Sequence, residues 1–465
     1  MNDPNGPIYW KGQYHMFFQY NPEAAVWGDM HWNHAVSPDR IHWQHLPIAL
    51  APTPGGPDAA GCFSGTAVDD NGVVTVIYTG VVETTPGNET IEGSNPPMRE
   101  SQCLATSVDP ELKVWHKDPR PVIAAPPAGV AIAGFRDPAP WQSGAWWYLA
   151  LGSGTPGVGG KILLYRSHNL REWEYLHTLI DAKGSGRDTS NPVDSGDMWE
   201  CPDFFALGNK HVLLHSTEGK VHWQSGVLDE AAMKFAARQG SLVDSGSYYA
   251  AKSQLDKEGR RILWGWIQEE RTQAELIAAG WAGMMSLPRV LTLGPAGELQ
   301  MAFDPALQKL REGGQSLKAG EHSAEAIKKL KIERATGEFK AKILRGEKPF
   351  KLSLLGRLPG ADGGDLDKPV LTLGYDPSSP TQLVCNNHPP CKLAGEPSQP
   401  LTLHAYVDGS VVELIVNGQV AHTQRFYYPG EVAPNLWLAL DGDPATLVEL
   451  HVWQIRPISP DRLTS

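Results

Sequence analysis

Cysteine is scarce in this chain, with five among 465 residues, too few and too scattered for a fold held together by disulfides. Cys62 and Cys201 lie inside motif-like strings and read as buried thiols. Cys385 and Cys391 bracket Asn-Asn-His-Pro-Pro, a turn-like loop that could close into a small disulfide in an exported protein, and the sequence leaves that open. Long apolar runs are missing: no stretch of about 18 apolar residues occurs, so no membrane-spanning helix is expected. The chain does not open on a charged segment followed by an apolar one, so no signal peptide is read, and the compartment, secreted or periplasmic included, stays undetermined. Positive charge is in deficit, 40 Lys and Arg against 52 Asp and Glu, for a formal net charge of −12. Without a basic face, neither nucleic acid nor an anionic membrane is an expected partner, whereas a neutral sugar is compatible.

What the chain has in quantity is turn formers and aromatics. Its 48 glycines and 38 prolines exceed average usage and favour many short strands joined by tight turns. TVIYTGV (75–81), WWYLALG (146–152), ILLYRS (162–167), HVLLHST (211–217) and RILWGWI (261–267) are β-rich runs bounded by Gly or polar turns. A weak repeat accompanies them. Ser37, Asp39 and Trp43 recur as Ser167, Asn169 and Trp173, and Ser107, Asp109 and Trp115 form a version two residues longer. The intervals between starts suit a four-stranded blade with its loops, and radial repetition of such sheets makes a β-propeller.

The length predicts two domains, and composition shifts near residue 293. We expect a catalytic domain over 1–293, a linker over 294–318 and a second module over 319–465. FDPALQKLREGG (303–314) reads as a short linker helix stopped by Gly-Gly. LTLHAYV (401–407), SVVELIV (410–416) and QVAHTQRFY (419–427), separated by Asp-Gly and Asn-Gly, predict two hairpins with primed turns and hence an antiparallel sandwich.

Three acidic strings stand out: MNDPNG (1–6), GFRDP (134–138) and WECPD (199–203). Taken singly, Asp3 and Asp137 are ordinary turn residues and Glu200 a solvated strand residue. Together they set three separated carboxylates in stretches dense with Trp, Phe, Pro and Gly, the composition of a sugar pocket with a nucleophile and an acid/base. With QYNP (19–22), WGDMHWNHAVS (27–37), GCFSG (61–65), LWGWI (263–267), GWAGMMSLPR (280–289) and VDGSVVELIVNG (407–418), the chain resembles glycoside hydrolase family 32, the invertases, inulinases, levanases and fructan exohydrolases. Family members usually have a further stretch ahead of the first motif, including a Trp before the Met.

The resemblance implies an all-β fold, a five-bladed β-propeller followed by a C-terminal β-sandwich. It implies a retaining β-fructofuranosidase with Asp3 as nucleophile, Glu200 as acid/base and Asp137 binding fructosyl hydroxyls and stabilising the transition state. Asn2, Gln19, Trp27, Phe63, Ser64 and Arg136 match positions lining the fructose subsite. Asp137 stays ionised if Arg136 or a donor network favours its charge, and Trp199 and Cys201, flanking Glu200 on a strand, are expected to face away from it. The expected partner is a fructoside, and no metal or cofactor is expected. His31 with His34, and His42 with His45, have a ligand-like spacing that a strand would split between two faces. Gly152 to Lys161 fails the phosphate-loop spacing and reads as a hairpin. Asn88-Glu89-Thr90 is a formal glycosylation sequon.

Alternatives within the same framework are a fructosyltransferase, which differs in whether sugar outcompetes water, and a non-catalytic fructan-binding member, which would not need all three acids. Pro202 after Cys201 resembles the cell-wall invertases and fructan exohydrolases among plant relatives. Glu218 and Lys220 fall in the region where the family carries an acidic and a basic residue near the leaving group, although a surface hairpin is the favoured reading of them. No aromatic platform is evident in the C-terminal module, which is expected to brace rather than bind.

Overall fold

The computed structural model describes the chain except residues 188, 319, 321–322, 357–367, 394–397, 429–432 and 459–465. Two compact units emerge, one of Met1–Leu242 with Tyr248–Leu299, the other of Val243–Ser247 with the described residues from Gln300 on.

The first unit is a five-bladed β-propeller whose blades follow one another in the chain, each an antiparallel meander running outward from its innermost strand. Blade one is β1 (Pro4–Trp10), β2 (Gln13–Tyr20), β3 (His31–Ser37) and β4 (Gln44–Leu50). Blade two is β5 (Gly61–Asp70), β6 (Val73–Glu83), β7 (Met98–Ser107) and the short β8 (His116–Lys117). Blade three is β9 (Phe135–Ser143), β10 (Trp146–Thr155), β11 (Gly159–Ser167) and β12 (Glu174–Asp181), and blade four is β13 (Glu200–Leu207), β14 (Lys210–Thr217), β15 (Lys220–Asp229) and β16 (Lys234–Leu242). Blade five has β17 (Tyr248–Leu255) and β18 (Arg261–Ile267), then α1 (Gln273–Ala279) and β19 (Met284–Met285), and closes on β20 (Arg289–Leu293) and β21 (Leu299–Phe303), the strand at whose start the two units divide. The apolar sides of the strands pack between blades, as where Phe204, Leu213 and Phe235 meet Ala150, Ile162 and Leu164.

The sequence repeat is a recurring turn between the third and fourth strands of blades one to three. Ser37, Ser107 and Ser167 each accept the amide of the residue two on, at 3.2, 3.2 and 3.1 Å. The Trp indoles at 43, 115 and 173 each donate to the carbonyl three residues back, at 3.0, 2.8 and 2.9 Å. That carbonyl belongs to a left-handed residue each time, Arg40, Leu112 or Leu170. Blade four keeps the acidic turn, Asp229 accepting from Ala231 and Ala232 with left-handed Met233 after it, but lacks the Trp. The Gly152–Lys161 stretch is the β10–β11 hairpin.

The second unit is a sandwich of two six-stranded sheets. One has the order β22 (Arg311–Lys318), β33 (Leu447–Ile455), β24 (Thr336–Ile343), β29 (Leu401–Asp408), β30 (Val411–Val416) and β31 (Val420–Arg425). The other runs β23 (Lys331–Ile332), β32 (Leu436–Asp441), β25 (Phe350–Gly356), β26 (Lys368–Tyr375), β27 (Gln382–Cys385) and β28 (Cys391–Lys392), and α2 (Ala324–Lys329) precedes β23. Alternate residues of both sheets, among them Phe339, Leu354, Leu371, Leu403, Leu414 and Leu450, form one apolar core. The two hairpins are present, Asn417 and Gly418 both lying at positive φ in the second turn. No disulfide joins Cys385 and Cys391.

One expectation is corrected. The stretch read as a linker helix is a single 3-10 segment, Pro305–Leu310, capped by Asp304, and Gly313 and Gly314 lie inside β22. A register shift between Glu312 and Gly314 uses left-handed Gly313, and a Cβ on Gly314 would come within 2.9 Å of the Trp453 indole nitrogen. The glycines there permit a bulge and a close approach rather than a helix stop.

Candidate active site

All five innermost strands break register at the same level. In each, two residues oppose one on the second strand: Gly6 and Pro7 in β1, Phe63 and Ser64 in β5, Asp137 and Pro138 in β9, Cys201 and Pro202 in β13, Ala250 and Ala251 in β17. A bulge re-aims side chains that strict alternation would send to opposite faces. Gly6, Asp137, Cys201 and Ala250 take positive φ there, between 42° and 66°. For the three non-glycines this is strain of about 1 kcal/mol or more each. Proline tolerates the second position because that residue's amide has no ladder partner.

The bulges bring the carboxylates together. Asp3 Oδ2 accepts from the Ser64 hydroxyl at 2.6 Å, and its Oδ1 from the Asn2 side chain at 3.3 Å. The Cys201 thiol lies 3.6 Å from Asp3 Oδ2 and 3.5 Å from Asp137 Oδ2, and the Cys201 amide donates to the same Asp137 oxygen at 2.8 Å. Cys201 therefore does not face away from the site, because at φ 48° it leaves the strand alternation that the expectation assumed. Burial, then the charges of Asp137 and Asp3, push its thiol well above the ordinary range, so it serves as a protonated donor.

Glu200 Oε1 accepts from Arg136 Nε at 3.0 Å and Nη2 at 2.8 Å, and Glu200 Oε2 from the Tyr249 hydroxyl at 2.8 Å. The remaining Arg136 arm donates to Glu100 Oε1 at 2.9 Å. Glu100 is fully buried in β7, and its other oxygen takes the Phe135 amide at 2.8 Å and the Thr90 hydroxyl at 3.0 Å. The Asp137 amide donates to Thr79, whose hydroxyl is held by Gln102.

These contacts decide the charges. Burial raises the Asp3 carboxyl above its usual value, the Ser64 hydrogen bond opposing and Glu200 adding to the rise. Asp137 is pushed up to about 7, first by burial and then by Glu200, with Arg136 opposing. Arg136 does favour the ionised form of Asp137, as expected of it, but burial and Glu200 outweigh it, and the hydrogen bonds of its guanidinium go to glutamates.

Of the other residues singled out from the sequence, Gln19 reaches not a carboxylate but the Cys62 carbonyl, at 2.9 Å, while its backbone exchanges hydrogen bonds with Asn2 and Asp3. Phe63 stands edge-on to Trp27 at 5.7 Å, and Trp27 is 67 % exposed. His34 pairs across the strands with His15 at 2.9 Å. Sequence reasoning missed Glu100, Tyr249 and the inward turn of Cys201. One signal for the last was present: Asn-Gly-Pro, Arg-Asp-Pro and Glu-Cys-Pro open three innermost strands with proline at the same bulge position.

Residues 1–305 match the glycosyl hydrolases family 32 N-terminal domain and residues 306–454 the family 32 C-terminal domain. The chain belongs to glycosyl hydrolase family 32. It is similar to a sucrose-6-phosphate hydrolase of Escherichia coli, 35% identical over 98% of this chain and 92% of that protein. A family 32 β-fructofuranosidase of Bombyx mori, solved as a mutant in complex with sucrose, superposes with TM-score 0.78 at 28% identity, covering 99% of this chain and 92% of the other. Fructan 1-exohydrolase IIa of Cichorium intybus, solved as a variant with 1-kestose, gives TM-score 0.76 at 25% identity, covering 98% and 95%. This family 32 protein is a glycoside hydrolase of the β-fructofuranosidase type.

Proposed function

We propose that the protein releases fructose from sucrose or β-fructans with retention of configuration, using Asp3, Glu200 and Asp137. The observation that carries this reading is the gathering of three carboxylates from separate blades: Cys201 bonds both Asp3 and Asp137, and the charge of Glu200, the residue before it, acts on both. A retaining glycosidase needs its nucleophile and acid/base about 5–5.5 Å apart, so that no water intervenes at the anomeric carbon. Asp3 attacks that carbon while Glu200 gives a proton to the departing oxygen; Glu200 then takes a proton from water, which displaces Asp3 and frees fructose. Arg136 and Tyr249 fix the Glu200 carboxyl in place, and Ser64 and Asn2 fix Asp3. Asp137 accepts fructosyl hydroxyls, and the positive charge developing on the ring favours its ionised form at the moment of reaction.

The test is turnover of sucrose, inulin and 1-kestose by folded Asp3→Asn and Glu200→Gln variants. Both should fall by orders of magnitude, Asp3→Asn further, and azide should partly rescue Glu200→Ala but not Asp3→Ala. Near wild-type turnover in folded Asp3→Asn would overturn the assignment.

A further inference from the structure

The outward face of the first sandwich sheet carries a groove of about 620 Å³, within the usual range for small-molecule sites. Three of its residues stand in register across neighbouring strands: His404 on β29, Lys340 on β24 and His451 on β33. Lys342 lies two residues along β24, and Trp453, Met301 and Ala302 also line the groove. The acids nearby are already engaged. Glu338 is fully buried and accepts two bonds from Arg311, at 2.6 and 2.5 Å, and one from His404 at 2.7 Å; Glu449 pairs with His451 at 2.8 Å. The ammonium groups of Lys340 and Lys342 make no hydrogen bond or ion pair among the described residues.

We propose that this groove binds a phosphate-bearing small molecule of sugar size, with Lys340 and Lys342 on the phosphate and the remaining volume taking the attached body. A half-buried, unpaired ammonium is a poor arrangement on its own, and an anion carrying three acceptor oxygens completes it. The charge state agrees. Burial, then the Arg311 cation, lower the Lys340 ammonium below its ordinary value, with Glu338 opposing, and a bound anion would restore it. Arg311 covers one face of Trp453 at 4.0 Å, so the groove offers cations and not an open stacking platform for a neutral sugar. The lining residues all fall in the second unit, Met301 and Ala302 coming from the part of β21 beyond the division at Gln300, and the site does not depend on the catalytic reading.

The experiment is thermal unfolding of the full chain against inorganic phosphate, glucose 6-phosphate and glucose. Both phosphates should raise the melting temperature saturably, glucose 6-phosphate at lower concentration, and glucose should not. Lys340→Met should weaken the phosphate effect about tenfold or more, the scale of one charge-assisted hydrogen bond, while Lys351→Met, an exposed lysine of β25, should leave it unchanged. The proposal is overturned if no saturable rise occurs, if Lys340→Met leaves the rise intact, or if both variants weaken it equally.

Discussion

The innermost propeller strands and the β29–β30–β31 meander of the sandwich obey opposite rules. In the sandwich, β24 pairs with β29 over Thr336–Ile343 without a break, and β29 with β30 and β30 with β31 are equally regular. Their period-two alternation sends Phe339, Leu403 and Leu414 to an apolar core. Each innermost propeller strand instead breaks register once, at one level, and buries Asp137, Ser64 and Cys201 there. Unbroken alternation yields stability from sequence pattern alone, whereas the bulge gives up ladder bonds and accepts left-handed backbone in order to point polar groups at one spot.

That contrast can be broken from the sandwich side first. Leu414 is fully buried, so Leu414→Ala should lower stability by about 2–5 kcal/mol. Its kcat on sucrose below the melting transition should match the parent's. A proportionate loss of kcat in protein shown to be folded would mean that the two regions are not divided in this way.

The next effect concerns the charge stored at the bulges. Asp137 ordinarily titrates near 3.8 and is pushed up to about 7 in the folded chain. Between those values the folded state binds this proton more tightly than the unfolded state, so the contribution of Asp137 to stability falls as pH rises from about 4 to 7. Removing the charge in Asp137→Asn should therefore stabilise the protein at pH 7 by on the order of 2–4 kcal/mol and by much less at pH 4. Melting curves of both proteins across that range check it; a constant offset would place the cause elsewhere. Glu100 gives a third test. Glu100→Gln leaves the carbonyl oxygen but loosens Arg136, so kcat/KM should drop roughly ten- to hundredfold through misplacement of Glu200, with the pH profile displaced as well. A fall in stability without displacement of the profile would limit Glu100 to a structural role.

How much of this was legible in the sequence follows the same division. TVIYTGV and RILWGWI announce their strands through β-branched and aromatic residues between turns, and the Ser-Asp-Trp repeat marks the outer turn of three blades because its hydrogen bonds are local. The three acids could be singled out from their strings. Alternation misplaced Cys201 on the far face, and the proline that follows it, shared with two other innermost strands, was the one mark of the bulge that returns it. Glu100 and Tyr249 reach the site from β7 and β17 across long sequence separations, with no local signal. Gly313 and Gly314 misled for the same reason: a glycine pair marks a helix stop or a strand bulge, and only the partner strand decides.

The smallest expected effect lies outside the bulges. Glu218 and Gly219 form the tight β14–β15 turn, both at positive φ, with Thr217 paired to Lys220. This geometry is that of a surface hairpin, yet Glu218 is only half-exposed, its amide is tied to the Val193 carbonyl at 2.9 Å, and Arg187 lies 3.8 Å from its carboxylate. If the carboxylate meets the leaving group, Glu218→Gln should change the ratio of sucrose to inulin kcat/KM about tenfold, roughly 1.4 kcal/mol of differential binding. The Gln variant keeps the side-chain length at a backbone position where a wholesale truncation would confound the result. Equal changes on both substrates would assign Glu218 to the hairpin alone and leave specificity to the residues around the bulges.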